Sequence, residues 1–146
     1  MTDDPLSLVV HFDGSVRYGS ENASPTAAAI GYVITAGEPL VEGSRRLDTF
    51  VSSTHAEFRA LLEGARAVAE LSRHRRISDV HIRGDAATVL NAVDPLRPET
   101  PGDEIRKRRV ALTRDALAPV PEVTYRRVSR GANERAQQLA TRAYES

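Results

Sequence analysis

The feature that most constrains the fold is an almost uninterrupted apolar run, LSLVVHF, which becomes polar at Asp13 and breaks at Gly14. An apolar run without alternation is typical of a strand that is covered on both faces. It therefore predicts a strand over residues 6–15 in the middle of a sheet. Asp13 lies where this strand leaves the core, and a carboxylate there needs a partner. An Asp-Gly pair at a strand end can also simply begin a turn.

The composition limits the class of protein. The chain has 146 residues, the size of one domain, and we expect residues 1–146 to form a single domain. It has no cysteine, which excludes a disulfide-linked partner and thiolate chemistry. No stretch is apolar enough for a membrane span and no leader is recognisable, so we expect no membrane partner and a cytoplasmic location. The formal net charge is zero, so binding of a nucleic acid would need a local basic patch.

Patterning along the chain predicts the order β-β-β-α-β-α-α-β-α. The predicted strands cover residues 6–15, 27–34, 40–48, 77–83 and 123–128, and the predicted helices cover residues 55–71, 86–93, 103–117 and 133–144. Three strands joined by short turns form an antiparallel meander, and strands separated by helices add in parallel. The expected fold is α/β, with a five-stranded mixed sheet flanked by helices.

Three carboxylates lie at element ends. Asp13 ends the first strand, Glu57 lies in the first turn of the long helix, and Asp85 follows the fourth strand. If the first and fourth strands are neighbours, these side chains converge at one end of the sheet. Clustered like charges need a cation, and an all-oxygen set favours Mg²⁺ or Mn²⁺. Two such ions about 4 Å apart would support in-line attack on a phosphodiester.

Two of these acids also have a purely structural interpretation. Thr54 and Glu57 have the spacing of a capping box at the start of the long helix. Asp85 could cap a helix that begins at Ala86. Asn133 is the predicted cap of the last helix.

Four segments carry a resemblance to a known family: HFDGS (11–15), STHAEFRALLEGA (53–65), IRGDAATVLNAV (82–93) and RRVSRGANERAQQLA (126–140). In this order, and over nearly the whole chain, they resemble type 1 ribonuclease H in its compact bacterial and archaeal branch. The resemblance implies a metal-dependent endonuclease that cuts the RNA strand of an RNA–DNA hybrid. It also implies that Asp13, Glu57 and Asp85 bind two divalent ions, with Asp13 shared between them.

The same resemblance implies a set of substrate contacts. These residues are Gly14, Ser15, Ser53, Thr54 and Asn133. Contacts to 2′-hydroxyl groups along such a groove are how a protein distinguishes RNA from DNA. The basic run from Arg106 to Arg109 could also contact phosphates, although a solvated face of mixed charge is an equally good interpretation.

The last segment departs from the family pattern N-x-x-A-D, whose aspartate is the fourth metal ligand. Here Gln137 follows Ala136. The neutral amide oxygen of Gln137 should hold a hard cation more weakly than a carboxylate, so we predict a weakened catalytic ligand at this position. Glu134, one turn earlier, could substitute in part, or could only stabilise the helix dipole. The histidine that the family carries in the loop before this helix is also missing.

Three functions remain open at this stage. The first is an active hybrid nuclease with a weakened site. The second is a catalytically impaired ribonuclease H-like domain that binds nucleic acid or a protein partner. The third, ranked last, is a 3′–5′ exonuclease of the wider superfamily.

Overall fold

The computed structural model describes residues 4–18, 25–48, 52–97 and 103–145. The strands are β1 (Leu6–Tyr18), β2 (Pro25–Thr35), β3 (Pro39–Leu47), β4 (Ile77–Gly84) and β5 (Glu122–Arg127), and the helices are α1 (Ser53–Ser72), α2 (Ala87–Val93), α3 (Glu104–Leu117) and α4 (Glu134–Arg142). Most of the proline-rich loop predicted at residues 96–102, and part of the loop predicted at 17–26, lie outside the described residues. Within the described part of the chain, no helix is both long and apolar enough to cross a bilayer.

β1 is the central strand of a five-stranded sheet with the order β3-β2-β1-β4-β5. β2 pairs antiparallel with both β1 and β3, whereas β4 runs parallel to β1 and β5 runs parallel to β4. The predicted mixed sheet is therefore confirmed. β1 extends to Tyr18, beyond the predicted end, because its pairing with β2 continues after its pairing with β4 has stopped at His11.

Helices cover β1 on both faces, as its apolar run predicted. Successive residues of a strand alternate between faces, so Val10 and Asp13 point to opposite sides. α1 lies on the Val10 side, where its Gly64 contacts the Val10 side chain. α4 lies on the other side, against Gly31, the residue paired with Asp13. The approach is close, since a Cβ on Gly31 would collide with the backbone of Ala136 and Ala140.

The start of α1 differs from the prediction. Its N-cap is Ser52, whose Oγ accepts a hydrogen bond from the backbone N–H of His55 at 3.3 Å. The helix therefore begins at Ser53, and the predicted capping box of Thr54 and Glu57 is wrong. Ser52 has extended backbone angles and stands ahead of Ser53 and Thr54, so the first of three hydroxyl residues takes the cap. The carboxylate of Glu57 is left available for another role.

The other two cap predictions fare differently. Asp85 does not cap α2, since the N-cap position is taken by Ala86 and has no side-chain hydrogen bond. Asn133 does occupy the N-cap position of α4, but its side chain makes no capping hydrogen bond. Its amide Nδ2 instead donates to the carbonyl oxygen of Phe12 at 2.8 Å.

We expect Gly31→Ala to destabilise the fold, because the added methyl group has no room against the backbone of α4. Overpacking of this kind lowers the free energy of unfolding by about 1–3 kcal/mol. Urea denaturation measures the change. Gly131→Ala is the matched control, because its Cβ would lie 4.0 Å from its nearest neighbour, Ser129 Oγ. Equal stability of the two variants would contradict the close packing of α4 on β2.

Candidate metal centre

Asp13, Glu57 and Asp85 meet at one end of the sheet. One carboxylate oxygen of each residue lies within 4.8 Å of an oxygen of each of the others. The parallel pairing of β1 with β4 ends at His11 opposite Arg83, two residues before each aspartate, so the two strands deliver Asp13 and Asp85 to the same height. Glu57 arrives from the beginning of α1. The sequence prediction that these side chains converge is therefore matched by the geometry.

Gly14 makes the approach of α1 to β1 possible. A Cβ at this position would collide with the backbone of Ala56 and Glu57, and would lie 2.8 Å from the Ala56 carbonyl oxygen. Glycine is needed here because the helix backbone packs directly on the strand backbone. The contact places Glu57 next to the residue that follows Asp13. Gly14 thus has a packing role, and its predicted substrate contact remains a prediction.

Burial and mutual repulsion perturb the acids. Asp13 is only 4% exposed. Burial, and then the charge of Asp85, raise the pKa of Asp13 to about 7, while Arg130 acts in the opposite direction. Burial, and then the charges of Asp13 and Asp85, raise the pKa of Glu57 to about 7, again opposed by Arg130. Carboxylates this close do not all ionise near neutral pH without a cation.

Two oxygens of the acidic group lack a hydrogen-bond donor. These are the buried Oδ1 atoms of Asp13 and Asp85, which have no partner in the described part of the chain. A buried polar atom without a partner costs free energy, and on a carboxylate a cation can supply the missing interaction. The donor set is entirely oxygen and carries several negative charges, which is the preference of Mg²⁺ and Mn²⁺. The residues present therefore fit a hard divalent ion.

Arg130 lies at the edge of the acidic group. Its Nη1 donates to Asp85 Oδ2 at 3.0 Å, and its side chain is 67% exposed. This guanidinium compensates part of the negative charge, which explains why it lowers the pKa of both Asp13 and Glu57. The sequence patterns did not single out Arg130. The available signal was a basic residue in the loop where the family carries a histidine.

Gln137 lies in α4, and its side chain makes a hydrogen bond to the loop that contains Arg130. Its Nε2 donates to the backbone carbonyl of Arg130 at 2.6 Å, so Oε1 is the atom that it could offer to a cation. A role as fourth ligand therefore remains a prediction. Glu134 is exposed, accepts a hydrogen bond from Gln138 at 3.0 Å, and is not a member of the three-acid group. The geometry gives no support to compensation by Glu134.

The residues predicted to contact substrate do not form one uniform set. Ser53 is exposed and Thr54 half-buried at the start of α1, where a ligand could reach them. The hydroxyl of Tyr144 donates to the Ser15 carbonyl at 3.1 Å and lies 3.2 Å from Ser15 Oγ. Asn133 is 1% exposed and fastens the beginning of α4 to Phe12, the residue before Asp13. Its burial gives it a structural role and no evident route to a substrate.

Comparison with protein-family models gives a match over residues 11–143 to the family described as reverse transcriptase-like. A search of curated proteins gave no match.

Solved structures of ribonucleases H are similar over almost their whole length. The ribonuclease H1 of the halophilic archaeon Halobacterium salinarum is 26% identical with a TM-score of 0.80, covering 95% of this chain and 98% of that one. The N-terminal ribonuclease H domain of Rv2228c from Mycobacterium tuberculosis is 18% identical with a TM-score of 0.81, covering 96% and 94%. LC11 ribonuclease H1, isolated from compost, was solved with an RNA/DNA hybrid; it is 21% identical with a TM-score of 0.79, covering 94% and 96%.

We expect Asp13→Asn to stabilise the metal-free protein at pH 8, and to stabilise it less at pH 5. The pKa of Asp13 in the folded protein, about 7, lies above its ordinary value of 3.8, so between these values the folded state binds more protons than the unfolded chain. The free energy of unfolding therefore falls as the pH rises through this window. Asparagine cannot ionise, which should raise the free energy of unfolding by roughly 1–3 kcal/mol at pH 8. Denaturation in EDTA at the two pH values measures the difference.

Asp48→Asn, which removes an exposed carboxylate, serves as the control and should show no such pH-dependent gain. Millimolar Mg²⁺ or Mn²⁺ should stabilise the wild type at pH 8 more than it stabilises Asp13→Asn. A gain of equal size at pH 5 and pH 8 would contradict the assigned repulsion.

Proposed function

We propose that this chain, which belongs to the reverse transcriptase-like family and is a type 1 ribonuclease H-like protein, is a metal-dependent endonuclease that hydrolyses the RNA strand of RNA–DNA hybrids. The observation that carries the proposal is the partly buried group of Asp13, Glu57 and Asp85, in which the unpartnered oxygens of Asp13 and Asp85 are available to a cation. In this proposal residues 1–146 act as a single domain. A cytoplasmic location agrees with the absence of cysteine.

The proposed cofactor is a pair of Mg²⁺ or Mn²⁺ ions. Asp13, Glu57 and Asp85 would hold them, with Gln137 as a weak fourth ligand. When bound, such ions lower the pKa of water and stabilise the negative charge that develops at a phosphodiester during in-line displacement. The buried position of Asp13 on the central strand gives the ligand set a rigid base.

The protein residues around this group would bind and orient the RNA strand. Ser53 and Thr54, at the exposed beginning of α1, have hydroxyl groups that can exchange hydrogen bonds with 2′-hydroxyls. The exposed guanidinium of Arg130 is suited to contact a phosphate beside the acids. The LC11 ribonuclease H1, which shares this fold, was solved with an RNA/DNA hybrid, which supports a hybrid as the substrate.

Gln137 supports a second candidate, a catalytically impaired domain that binds nucleic acid or a protein partner. An amide in place of a carboxylate reduces the negative charge available to an ion. The ion pair between Arg130 and Asp85 already places one positive charge against the group. Under this alternative the metal centre would be retained for binding without efficient cleavage.

We expect the purified protein to cleave an RNA–DNA hybrid with Mg²⁺ or Mn²⁺, and to leave matched RNA and DNA duplexes intact. Asp13→Asn should lower the cleavage rate by about 100-fold or more, because it removes the negative charge of one of the residues that would hold the ions. The measurement is the initial rate on an end-labelled hybrid, with Asp48→Asn as a control that should cleave like the wild type.

Two results would count against the nuclease. Absence of cleavage with either metal would favour the impaired domain. Full activity of Asp13→Asn would point to a contaminating nuclease.

We expect Gln137→Asp to increase the cleavage rate about tenfold or more at limiting metal, because it supplies the missing carboxylate. The increase should shrink as the metal concentration rises. Gln138→Asp adds the same charge one residue later, at an exposed position, and should leave the rate nearly unchanged. No increase for Gln137→Asp would show that the native site is not limited by this ligand.

A further inference from the structure

A groove between α1 and α3 is lined by arginine. The cavity has a volume of about 290 Å³. It is lined by Arg59 and Arg66 from α1, by Arg108 and Arg109 from α3, and by the apolar side chains of Leu62, Ile105 and Leu112. These residues recur every three or four positions, so each helix contributes one stripe. We call this feature the α1–α3 groove.

Positive charge exceeds negative charge in the α1–α3 groove. Glu63 accepts from Arg59 at 2.9 Å and from Arg66 at 3.4 Å, and one carboxylate cannot neutralise both. No carboxylate of the described residues lies within ion-pair distance of Arg108 or Arg109 in the structure. The whole chain has a net charge of zero, so this excess is a local feature and not a consequence of a basic composition.

Arg109 is held at one side of the groove, where it experiences the positive charge of Arg59. Arg109 Nη1 donates to the carbonyl oxygen of His55 at 3.3 Å. Burial, and then the positive charge of Arg59, lower the pKa of Arg109, while the charge of Asp103 acts in the opposite direction. Two neighbouring guanidinium groups repel, and an anion placed between them removes that cost. A guanidinium fork matches the oxygens of a phosphate, and the apolar side chains that line the groove suit the apolar face of a sugar.

The α1–α3 groove is close to the metal centre but faces another direction. Arg59 and Arg66 lie roughly half a turn around α1 from Glu57, so they point away from the acidic group. Arg109 nevertheless contacts His55, which is in the same helical turn as Glu57. A long ligand can therefore pass around the beginning of α1 and contact both places.

We propose that the α1–α3 groove binds the phosphodiester backbone of a nucleic acid, as a contact site separate from the metal centre. The choice of a nucleic acid among polyanions rests on the proposed function. The phosphates bound here belong to a part of the nucleic acid that is not being cleaved. The groove thus adds affinity without sequence preference, through charge that salt can screen.

The test compares two double variants that each remove two positive charges. R66Q/R108Q removes one arginine paired with a glutamate and one arginine without an ion-pair partner, both in the groove. R73Q/R75Q removes an equivalent pair at the end of α1, where Arg73 pairs with Glu70. Binding of an RNA–DNA hybrid is measured by fluorescence anisotropy in EDTA between about 50 and 200 mM salt. EDTA prevents metal-dependent cleavage during the measurement.

For R66Q/R108Q we expect affinity to fall about tenfold near 100 mM salt, and the slope of log affinity against log salt to decrease by about 1.8, which corresponds to two lost phosphate contacts. R73Q/R75Q should retain the wild-type slope. R66K/R108K, which keeps the charge, should recover most of the slope. An equal loss in R73Q/R75Q, or no loss in R66Q/R108Q, would overturn the proposal. Thermal unfolding of each variant confirms that it is folded.

Two further measurements distinguish a nucleic acid from a small anion, and distinguish failure of the groove from failure of the proposed nuclease. Loss of inorganic tripolyphosphate binding in R66Q/R108Q, with hybrid binding unchanged, would overturn a nucleic-acid ligand in favour of a small anion. If R66Q/R108Q lowers the slope as expected but the wild type does not cleave the hybrid with Mg²⁺ or Mn²⁺, the groove stands and the proposed nuclease fails. If the wild type cleaves but R66Q/R108Q binds the hybrid like the wild type, the nuclease stands and the groove fails.

Discussion

The close contact between Gly14 and the first turn of α1 is the constraint on which the acidic group depends. Parallel pairing of β1 with β4 brings two of the acids together, but the third comes from a helix that must reach the strand end. A side chain at residue 14 would occupy the space of the Ala56 and Glu57 backbone. The missing Cβ therefore determines how near a carboxylate on α1 can come to a carboxylate on β1.

Bringing three carboxylates together costs stability, and the rest of the fold has to supply it. Like charges at this separation repel, and burial of Asp13 adds a desolvation cost. The compensation comes from a core that includes Phe12 in β1 and Phe58 in α1, each 1% exposed. Arg130, whose side chain is exposed to solvent, pairs with Asp85 and offsets part of the repulsion among the carboxylates. Such a concentration of unfavourable charge in a stable fold is typical of a functional site.

Much of the architecture could be predicted from local pattern. The apolar run of β1 indicated a central strand, and the placement of Asp13, Glu57 and Asp85 at element ends indicated that they meet. The helix cap could not be predicted, because Ser52, Ser53 and Thr54 are all residue types that cap helices and the local sequence does not select among them. The extension of β1 beyond its apolar run could not be predicted from local sequence either, since it depends on pairing with β2.

The contacts that the sequence concealed were those made across the fold. Arg130 pairs with Asp85, and nothing in its local sequence reports that distant partner. Asn133 has the local signature of a cap, yet its amide bonds to β1. In both cases a polar side chain near α4 forms a hydrogen bond with a residue far away in the chain. Local sequence propensity does not indicate such distant partners.

The hydrogen bond from Asn133 to Phe12 joins residues separated by 121 positions. The peptide group that precedes Asp13 is therefore held by a side chain that leaves the ribosome long after β1 has been made. During synthesis, the first strand and the long helix can associate early, but this bond can form only when residue 133 has emerged. A partly synthesised chain thus lacks one of the hydrogen bonds that hold the strand next to Asp13, and the geometry of the acidic group becomes complete late in folding.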